Sequence, residues 1–257
     1  MTFSVTNSFL HKYALKAVLP FILRNRFIVE GEYVKQRAVC ISFDCENVDD
    51  MKRIPSLSDK LKDNNIATSF ALRGDLLFGQ ENIVKGMLKN RHEIINHTFS
   101  HPPIFRLMDA QKMRKEIESF QMAAKEKFGC RPEGFRAPHL MRKYNGTLFQ
   151  ILKENQLYDS SYIGWGVSSI NGVVEIPLTS CPHHPQLCFD YAHHFQLPLR
   201  SGLKKFFELW EYLLKRRKLV NIYLDPRLTS DAFLQEMLVR IPEDYRFCRV
   251  RDIVDFK

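Results

Sequence analysis

Three short polar segments carry the residue types that a metal-dependent hydrolase uses. The first segment holds Asp44 and Glu46, the second holds His97 and His101, and the third holds Arg136. Each follows a short apolar run that is typical of a β-strand. Two carboxylates, two histidines and an arginine at successive strand ends are the groups that hydrolysis at a single metal ion requires.

The spacing within each segment indicates how its side chains could meet. His97 and His101 are four residues apart, so both imidazoles can reach one metal ion from a helical turn or a tight loop. Residues i and i+2 of a strand point to the same side, so Asp44 and Glu46 could face one site. Arg136 could hold an adjacent carboxylate by a bidentate contact. Taken singly, the segments also fit a hydrogen-bonded histidine pair, a solvated strand end and a surface salt bridge.

Strand and helix patterns alternate along most of the chain. For example, Asp109 can cap a helix whose apolar positions recur at helical spacing, and Gly129 can end it. We predict strands at 38–43, 66–72, 92–95, 133–136, 157–161, 173–178, 220–224 and 247–250. We predict helices at 57–62 with Ser56 or Ser58 as N-cap, and at 82–88, 109–127, 147–154, 203–215 and 230–238. This alternation predicts a parallel β/α fold, either a barrel or an open doubly wound sheet.

The sequence lacks the motifs of other common α/β enzymes. None of its 11 glycines stands in G-x-G-x-x-G or G-x-x-x-x-G-K-[ST] order, which disfavours a nucleotide-binding sheet. No G-x-S-x-G is present, which weighs against an α/β-hydrolase. Barrel enzymes carry their chemistry at the carboxyl ends of the strands, where Asp44, His97 and Arg136 would fall.

The composition predicts one main globular domain with acidic partners. The chain has 257 residues, 45% of them hydrophobic, with no long linker or repeat. Its net charge of +9 favours an anionic membrane surface or a phosphate-bearing substrate. Nucleic acid is the weakest partner class, because the sequence shows no zinc-finger spacing, RNP motif or Arg-rich arm.

The N-terminal residues and the cysteines bear on the expected location. Residues 9–23 are apolar but interrupted by charges, so they predict an amphipathic helix rather than a spanning one. This helix could lie on a membrane surface, with Arg24 and Arg26 at its end, or pack on the domain. No small-residue cleavage site follows it, so we expect no signal peptide.

Six cysteines are scattered along the chain, which is untypical of a small secreted disulfide framework and favours a reducing compartment. We therefore predict a cytoplasmic protein, with possible peripheral contact to the membrane. The stretch from Cys181 through Cys188 to His193 and His194 has no zinc-site spacing, so we interpret it as a loop at the barrel mouth.

In their order along the chain, the polar segments resemble the motifs of the NodB-homology polysaccharide deacetylases, carbohydrate esterase family 4. The resemblance covers roughly residues 38–225, and its first motif has the F-D-x-E form of one branch of the family. The matching segments are S-F-D-C-E at 42–46, H-T-F-S-H at 97–101, R-A-P at 136–138, Y-D-S-S at 158–161 and V-E-I-P at 174–177.

This resemblance implies a distorted (β/α) barrel of about seven parallel strands that binds one divalent metal, commonly zinc. Carried over by motif, Glu46, His97 and His101 would hold the metal. Asp44 would be the general base, and Arg136 would orient Asp44. The implied domain division is a helical extension over residues 1–36 and a deacetylase-like barrel domain over residues 37–257.

The chain departs from the family at two positions. The backbone N–H near His139 would hold the oxyanion, where the family usually has Tyr. Asp225 stands where a late strand of the family carries the general-acid His. Asp225 could itself donate a proton if burial raises its pKa. Otherwise the acid would be another histidine, namely His139, His183, His184, His193 or His194.

The resemblance therefore implies a metal-dependent hydrolase that removes N-acetyl groups from an amino-sugar-containing glycan or glycan intermediate. The positive charge and the basic N-terminal helix point to an intermediate at the membrane surface, such as a lipid-linked sugar. One alternative is a catalytically impaired relative that kept the barrel and binds glycans. Another is a C–N hydrolase on the same fold that acts on a non-sugar amide.

Overall fold

The computed structural model describes residues 26–190 and 202–256. Its helices are α1 (Val48–Asp63), α2 (Glu81–Lys89), α3 (Ala110–Phe128), α4 (Gly146–Glu154), α5 (Gly202–Arg216) and α6 (Asp231–Val239). Its strands are β1 (Ile28–Glu30), β2 (Ala38–Cys45), β3 (Ser69–Leu72), β4 (Glu93–Asn96), β5 (Gly134–Phe135), β6 (Tyr158–Asp159), β7 (Ile163–Trp165), β8 (Ser168–Ile170), β9 (Val173–Glu175), β10 (Leu178–Cys181), β11 (His184–Cys188), β12 (Leu219–Leu224) and β13 (Arg246–Phe247).

The larger sheet is a curled row of parallel strands in the order β12-β2-β3-β4-β5-β6-β9. Antiparallel β8 extends it beyond β9, and β13 lies in parallel beside β2. A smaller sheet, β1-β7-β10-β11, continues the curve toward β12, where the Asn221 N–H donates to Thr179 Oγ1 at 2.9 Å. The prediction of a distorted α/β barrel is thus confirmed, in the form of a half-barrel.

Strand β2 lies at the centre of this fold because its sequence suits burial on both faces. All eight of its residues are buried, as expected for a parallel strand covered by layers on either side. The apolar run ends in polar residues where the strand reaches the edge of the sheet. The predicted helix signals of α3 are also confirmed. Asp109 accepts a hydrogen bond from the Lys112 N–H, and Gly129 ends the helix with φ of 64°.

Helix α1 begins earlier than predicted. Its N-cap is Asn47, whose side chain accepts from the Asp50 N–H, so the predicted cap at Ser56 or Ser58 is wrong. Pro55 lies inside the helix, where it removes one backbone hydrogen bond. The buried residues Met51, Ile54 and Leu57 on its inner face offset that loss.

The predicted strand at 173–178 is two strands in different sheets. Strand β9 ends at Glu175, and β10 begins at Leu178. Pro177 lies between them and has no N–H for a sheet hydrogen bond, so the chain can change sheets there. The sequence analysis also missed β7, β8 and β11, which are three to five residues long and carry weak periodic signals.

Several predictions remain untested because they concern residues outside the described part of the chain or the domain boundary. The helix at 9–23 and the pair His193 and His194 lie outside the described residues. Strand β1, within the predicted extension 1–36, pairs in parallel with β7, and the domain boundary itself stays a prediction. Within the described residues, no helix combines the length and apolar character needed to span a bilayer.

Replacing Gly164 by Ala should destabilise the protein by at least about 2 kcal/mol. A Cβ at this position in β7 would lie 1.9 Å from the Val29 backbone oxygen of β1, so one of the two strands must shift. Gly86→Ala is the matched control, because a Cβ there meets nothing within 4 Å. Inside α2 this control should raise stability by about 0.5–1 kcal/mol. Urea unfolding of both variants and the wild type tests the pairing of β1 with β7. A free energy of unfolding of Gly164→Ala equal to that of wild type would contradict the pairing.

Candidate active site

Parallel strands bring the predicted site residues to one edge of the larger sheet. Asp44 lies near the carboxyl end of β2, and Glu46 is the first residue after that strand. His97 follows β4, Arg136 follows β5, and Asp225 follows β12. Neighbouring parallel strands end at the same edge, so residues far apart in sequence meet there.

Glu46, His97 and His101 form a compact group of potential metal ligands. One ligand atom from each residue lies within 4.8 Å of the other two. Glu46 Oε1 lies 3.2 Å from His101 Nε2 and 4.0 Å from His97 Nε2. The two rings lower the pKa of the Glu46 carboxyl below its ordinary range, against the opposing effect of burial. In the described part of the chain, this is the only group of three or more such ligands.

The two imidazoles suit metal binding in their orientation. His97 Nδ1 lies 2.8 Å from the Arg136 carbonyl oxygen, so this nitrogen carries the proton and leaves Nε2 as a ligand. The Nε2 atoms of His97 and His101 are buried and have no hydrogen-bond partner. Buried polar atoms are normally satisfied, and two imidazole nitrogens with one carboxylate oxygen are a common donor set of catalytic zinc sites. The residues therefore fit a divalent metal.

The backbone of the histidine loop is held in an unusual shape. Thr98 has φ of 64° and His101 has φ of 55°, in the left-handed region that a β-branched residue rarely adopts. Local hydrogen bonds hold this loop, because the Thr98 N–H donates to Asn96 Oδ1 at 2.9 Å and the His101 N–H donates to Thr98 Oγ1 at 3.1 Å. Backbone strain of this kind persists where surrounding contacts enforce it. Here it places both rings toward Glu46.

Arg136 and Asp44 form a buried ion pair beside the metal ligands. Arg136 Nη1 lies 2.6 Å from Asp44 Oδ1, and the two side chains are 0% and 5% exposed. The same Nη1 donates to Ser42 Oγ at 2.9 Å, and Nε donates to the Ser160 carbonyl oxygen at 3.2 Å. The pair is therefore neither a solvated strand end nor a surface salt bridge, the two structural roles that its segments could also have filled.

The sequence analysis missed some of the residues that support this pair. Asn221 on β12 donates from Nδ2 to Ser160 Oγ at 3.3 Å and to the Ile176 carbonyl oxygen at 3.1 Å. Ser42 precedes Asp44 by two residues on the same face of β2. Each is a polar residue inside a buried apolar strand, and such a residue needs a partner there. This was the sequence signal that could have identified them.

The motif at 158–161 holds the Arg136 segment by hydrogen bonds and does not belong to the ligand group. Asp159 accepts a hydrogen bond from the Ser161 hydroxyl, and Ser161 Oγ accepts from the Ala137 N–H at 2.8 Å. Asp159 and Glu175 pair across β6 and β9, and both are fully buried. Burial raises the pKa of Asp159 to about 6 and that of Glu175 well above its ordinary value, so burial favours the protonated form of both carboxyls.

His139 lies against the metal ligands. Its ring centroid is 5.0 Å from that of His101, and its backbone is left-handed with φ of 57°. Partial burial, followed by the neighbouring His101, lowers the pKa of the His139 ring. Among the described residues, no acceptor pairs with the backbone N–H of His139, so this backbone group can donate to a ligand.

Asp225 has the properties of a proton donor near neutral pH. It follows β12 and begins the short 3-10 helix Pro226–Leu228. Burial raises its pKa to about 7, with further contributions from Asp44 and Glu46. The carboxyl therefore lies in the same electrostatic environment as the predicted base and metal ligand.

His183 and His184 belong to no metal-ligand group in residues 26–190 and 202–256. His183 lies in the turn before β11, His184 is the first residue of β11, and both are exposed. Neither provides support for a second metal or for a substitute general acid.

Comparison with known proteins relates the chain to the polysaccharide deacetylase family. The sequence profile of the polysaccharide deacetylase family matches residues 31–158. The chain belongs to this family. A curated relative, the peptidoglycan-N-acetylglucosamine deacetylase of Bacillus cereus, is 28% identical over 145 residues, which are 56% of this chain and 50% of the relative. The chain thus spans about half the length of that deacetylase.

Solved structures of this deacetylase family share the fold. A Mycobacterium smegmatis protein provisionally assigned as a polysaccharide deacetylase has a TM-score of 0.69 and 19% identity, covering 90% of this chain and 94% of its own. A CE4 family pseudoenzyme from Bacillus anthracis has a TM-score of 0.63 and 12% identity, covering 89% and 70%. These likenesses extend the shared fold beyond the matched residues 31–158 to most of the chain.

In metal-free protein, Asp225→Asn should change how stability depends on pH. The folded pKa of Asp225, about 7, lies above its ordinary value of 3.8, so the folded state holds this proton more tightly. The stabilisation is complete below about pH 4 and is lost as the pH rises through about 7. Wild type should lose stability relative to Asp225→Asn across this range, by up to about 1.4 kcal/mol per pH unit. Urea unfolding in the presence of a chelator measures it, and a pH-independent difference would contradict the raised pKa.

Proposed function

We propose that this protein is a metal-dependent hydrolase that removes N-acetyl groups from an amino-sugar-containing glycan or glycan intermediate. The observation that carries the proposal is the group Glu46, His97 and His101, with two unpartnered buried ring nitrogens, beside the buried Asp44–Arg136 pair. Membership of the polysaccharide deacetylase family supports the reaction class. We further propose the cytoplasmic face of the membrane as its location, on the basis of the basic charge.

Each group of the site has a definable role in amide hydrolysis. Glu46, His97 and His101 would hold a divalent ion, which when bound supplies Lewis acidity toward the amide carbonyl and toward water. Arg136 orients the Asp44 carboxylate, which accepts the proton of the attacking water.

Two further groups act on the oxygen and nitrogen of the amide. The His139 N–H donates to the oxygen of the former carbonyl as negative charge develops there. Asp225, whose burial favours the protonated carboxyl, donates its proton to the leaving amine nitrogen. Asp225 thereby takes the role that a histidine fills in the family motif.

A second candidate function is a glycan-binding protein without catalysis. The observation that favours it is Asp225 in place of the family's acid histidine, together with a structural neighbour that is a CE4 family pseudoenzyme. A mutant of that neighbour has restored enzymatic activity. The two functions differ in whether Asp225 can deliver a proton.

His97→Ala should lose the bound metal, because it removes one of three ligands from the site. We expect about one divalent ion per wild-type chain, a content typical of a mononuclear catalytic site. Plasma mass spectrometry of purified protein measures the content. His183→Ala is the matched control, since His183 is exposed and lies outside the ligand group, and it should keep the ion. No ion in wild type after reconstitution, or full content in His97→Ala, would contradict the assigned site.

Asp225→Asn should lower kcat for acetate release from N-acetylglucosamine oligomers by about 10²–10⁴-fold, because the amide side chain cannot supply the proton. KM should change little, since the role is in the chemical step. Asp225→His separates the two candidate functions. A wild type that releases acetate and loses rate in both variants supports Asp225 as the acid, whereas an inactive wild type that gains activity in Asp225→His supports the glycan-binding alternative.

A further inference from the structure

Three arginines, Arg26, Arg106 and Arg142, lie together beside the candidate active site, and we call them the arginine trio. The Phe27 N–H donates to the Arg142 carbonyl oxygen at 2.8 Å, which joins the segments of Arg26 and Arg142. Arg106 lies in the 3-10 helix Phe105–Leu107, a few residues after the metal-ligand loop. Arg142 lies three residues after His139. Phe27, Phe105 and Met141, each next to one of the three arginines in sequence, pack in one hydrophobic cluster, so the trio comes from three segments that lie together.

The three charges interact with one another and with the site. Burial lowers the pKa of Arg26, and both Arg142 and Arg106 lower it further. Burial followed by Arg106 lowers the pKa of Arg142. Arg142 lies three residues after His139, whose ring centroid is 5.0 Å from that of His101. The trio is thus a local excess of positive charge, and the segment of Arg142 also carries His139.

Clustered arginines usually form ion pairs with acidic side chains, and no such ion pair of the trio is found within the described residues. Within residues 26–190 and 202–256, none of the three forms an ion pair, and the side chains of Arg106 and Arg142 make no hydrogen bond. The Nε atoms of Arg26 and Arg142 are buried without a partner. Among the described residues, the one side-chain hydrogen bond of the trio runs from Arg26 Nη1 to the Gln186 carbonyl oxygen, at 3.1 Å.

The nearby Arg136, in contrast, has hydrogen-bond partners for its guanidinium group. These are a carboxylate, two hydroxyls and a carbonyl oxygen. Gathering positive charge and burying guanidinium N–H groups without acceptors destabilises a folded protein. An oxyanion placed among the three side chains would supply the missing acceptors. Planar guanidinium groups recognise phosphate and carboxylate oxygens in particular, through paired hydrogen bonds.

We propose that the arginine trio binds an oxyanion group, a phosphate or a carboxylate, carried by the acylated sugar substrate. This inference rests on the proposed deacetylase function for the identity of the sugar. The position of the trio beside His139 lets it hold the charged group while the acetamide reaches the metal ligands. The trio would then select anionic glycan units over neutral ones.

Calorimetric titration with three sugars tests the proposal, independently of turnover. N-acetylglucosamine 1-phosphate carries a phosphate, N-acetylmuramic acid carries a carboxylate, and N-acetylglucosamine is the neutral reference. We expect at least one anionic sugar to bind about tenfold or more tightly than the neutral one, with an affinity that falls as salt is added. The anionic sugar that binds more tightly identifies the source of the oxyanion. Equal affinities for all three would overturn the proposal.

Arg106→Gln and Arg142→Gln should each weaken binding of the anionic sugar by about tenfold or more, because each removes charge-assisted hydrogen bonds. Their affinity for N-acetylglucosamine should not change. Lys85→Gln, an equal change of charge at an exposed position of α2, is the matched control and should bind as wild type does. Wild-type affinity for the anionic sugar in both arginine variants, with native circular dichroism, would overturn the assignment.

Acetate release is measured separately on the same sugars. If no sugar is hydrolysed but the arginine-dependent preference for the anionic one persists, the proposed function fails and the oxyanion site stands. If acetate is released equally from neutral and anionic sugars, with equal affinities, the function stands and the oxyanion site fails.

Discussion

The ion pair between Arg136 and Asp44 is the constraint around which the site is built. Both side chains are buried, and breaking such a pair leaves an uncompensated charge that costs about 3–5 kcal/mol. The structure therefore surrounds Arg136 with acceptors from two strands or their ends, namely Ser42 and Asp44 on β2 and Ser160 just after β6. A carboxylate held in this way has one orientation, which a general base requires.

The same arginine also links the ion pair to the metal ligands. Its backbone carbonyl oxygen faces His97 Nδ1 at 2.8 Å, so the residue that orients Asp44 also sets the tautomer of a ligand ring. Close to Arg136 in the fold lie the buried carboxyls of Asp159 and Glu175, on paired strands, and the amide of Asn221, which donates to Ser160 Oγ. Local backbone strain at Thr98 and His101 is stable in this setting because β4 precedes the loop and hydrogen bonds to Asn96 and Thr98 hold its backbone.

Asp225 shows how electrostatics can adapt one residue type to another's role. A histidine is protonated near neutral pH by its ordinary pKa, whereas a carboxyl needs burial and nearby negative charge to reach the same state. Asp44 and Glu46 provide that charge, and they raise the pKa of Asp225 to about 7 together with burial. Because a cation bound at the candidate metal site would reduce this effect, that site and Asp225 are electrostatically linked.

The sequence by itself determined the parallel β/α class, most helix and strand positions, and the site residues at strand ends, because apolar periodicity and motif spacing are local properties. It misplaced the start of α1, where buried contacts overcome the effect of Pro55, and it missed β7, β8 and β11. Only the tertiary structure decided the partners of Arg136, the environment of Asp225 and the arginine trio. Those features depend on distances between segments remote in sequence, and burial and charge at a point are set by everything that packs around it.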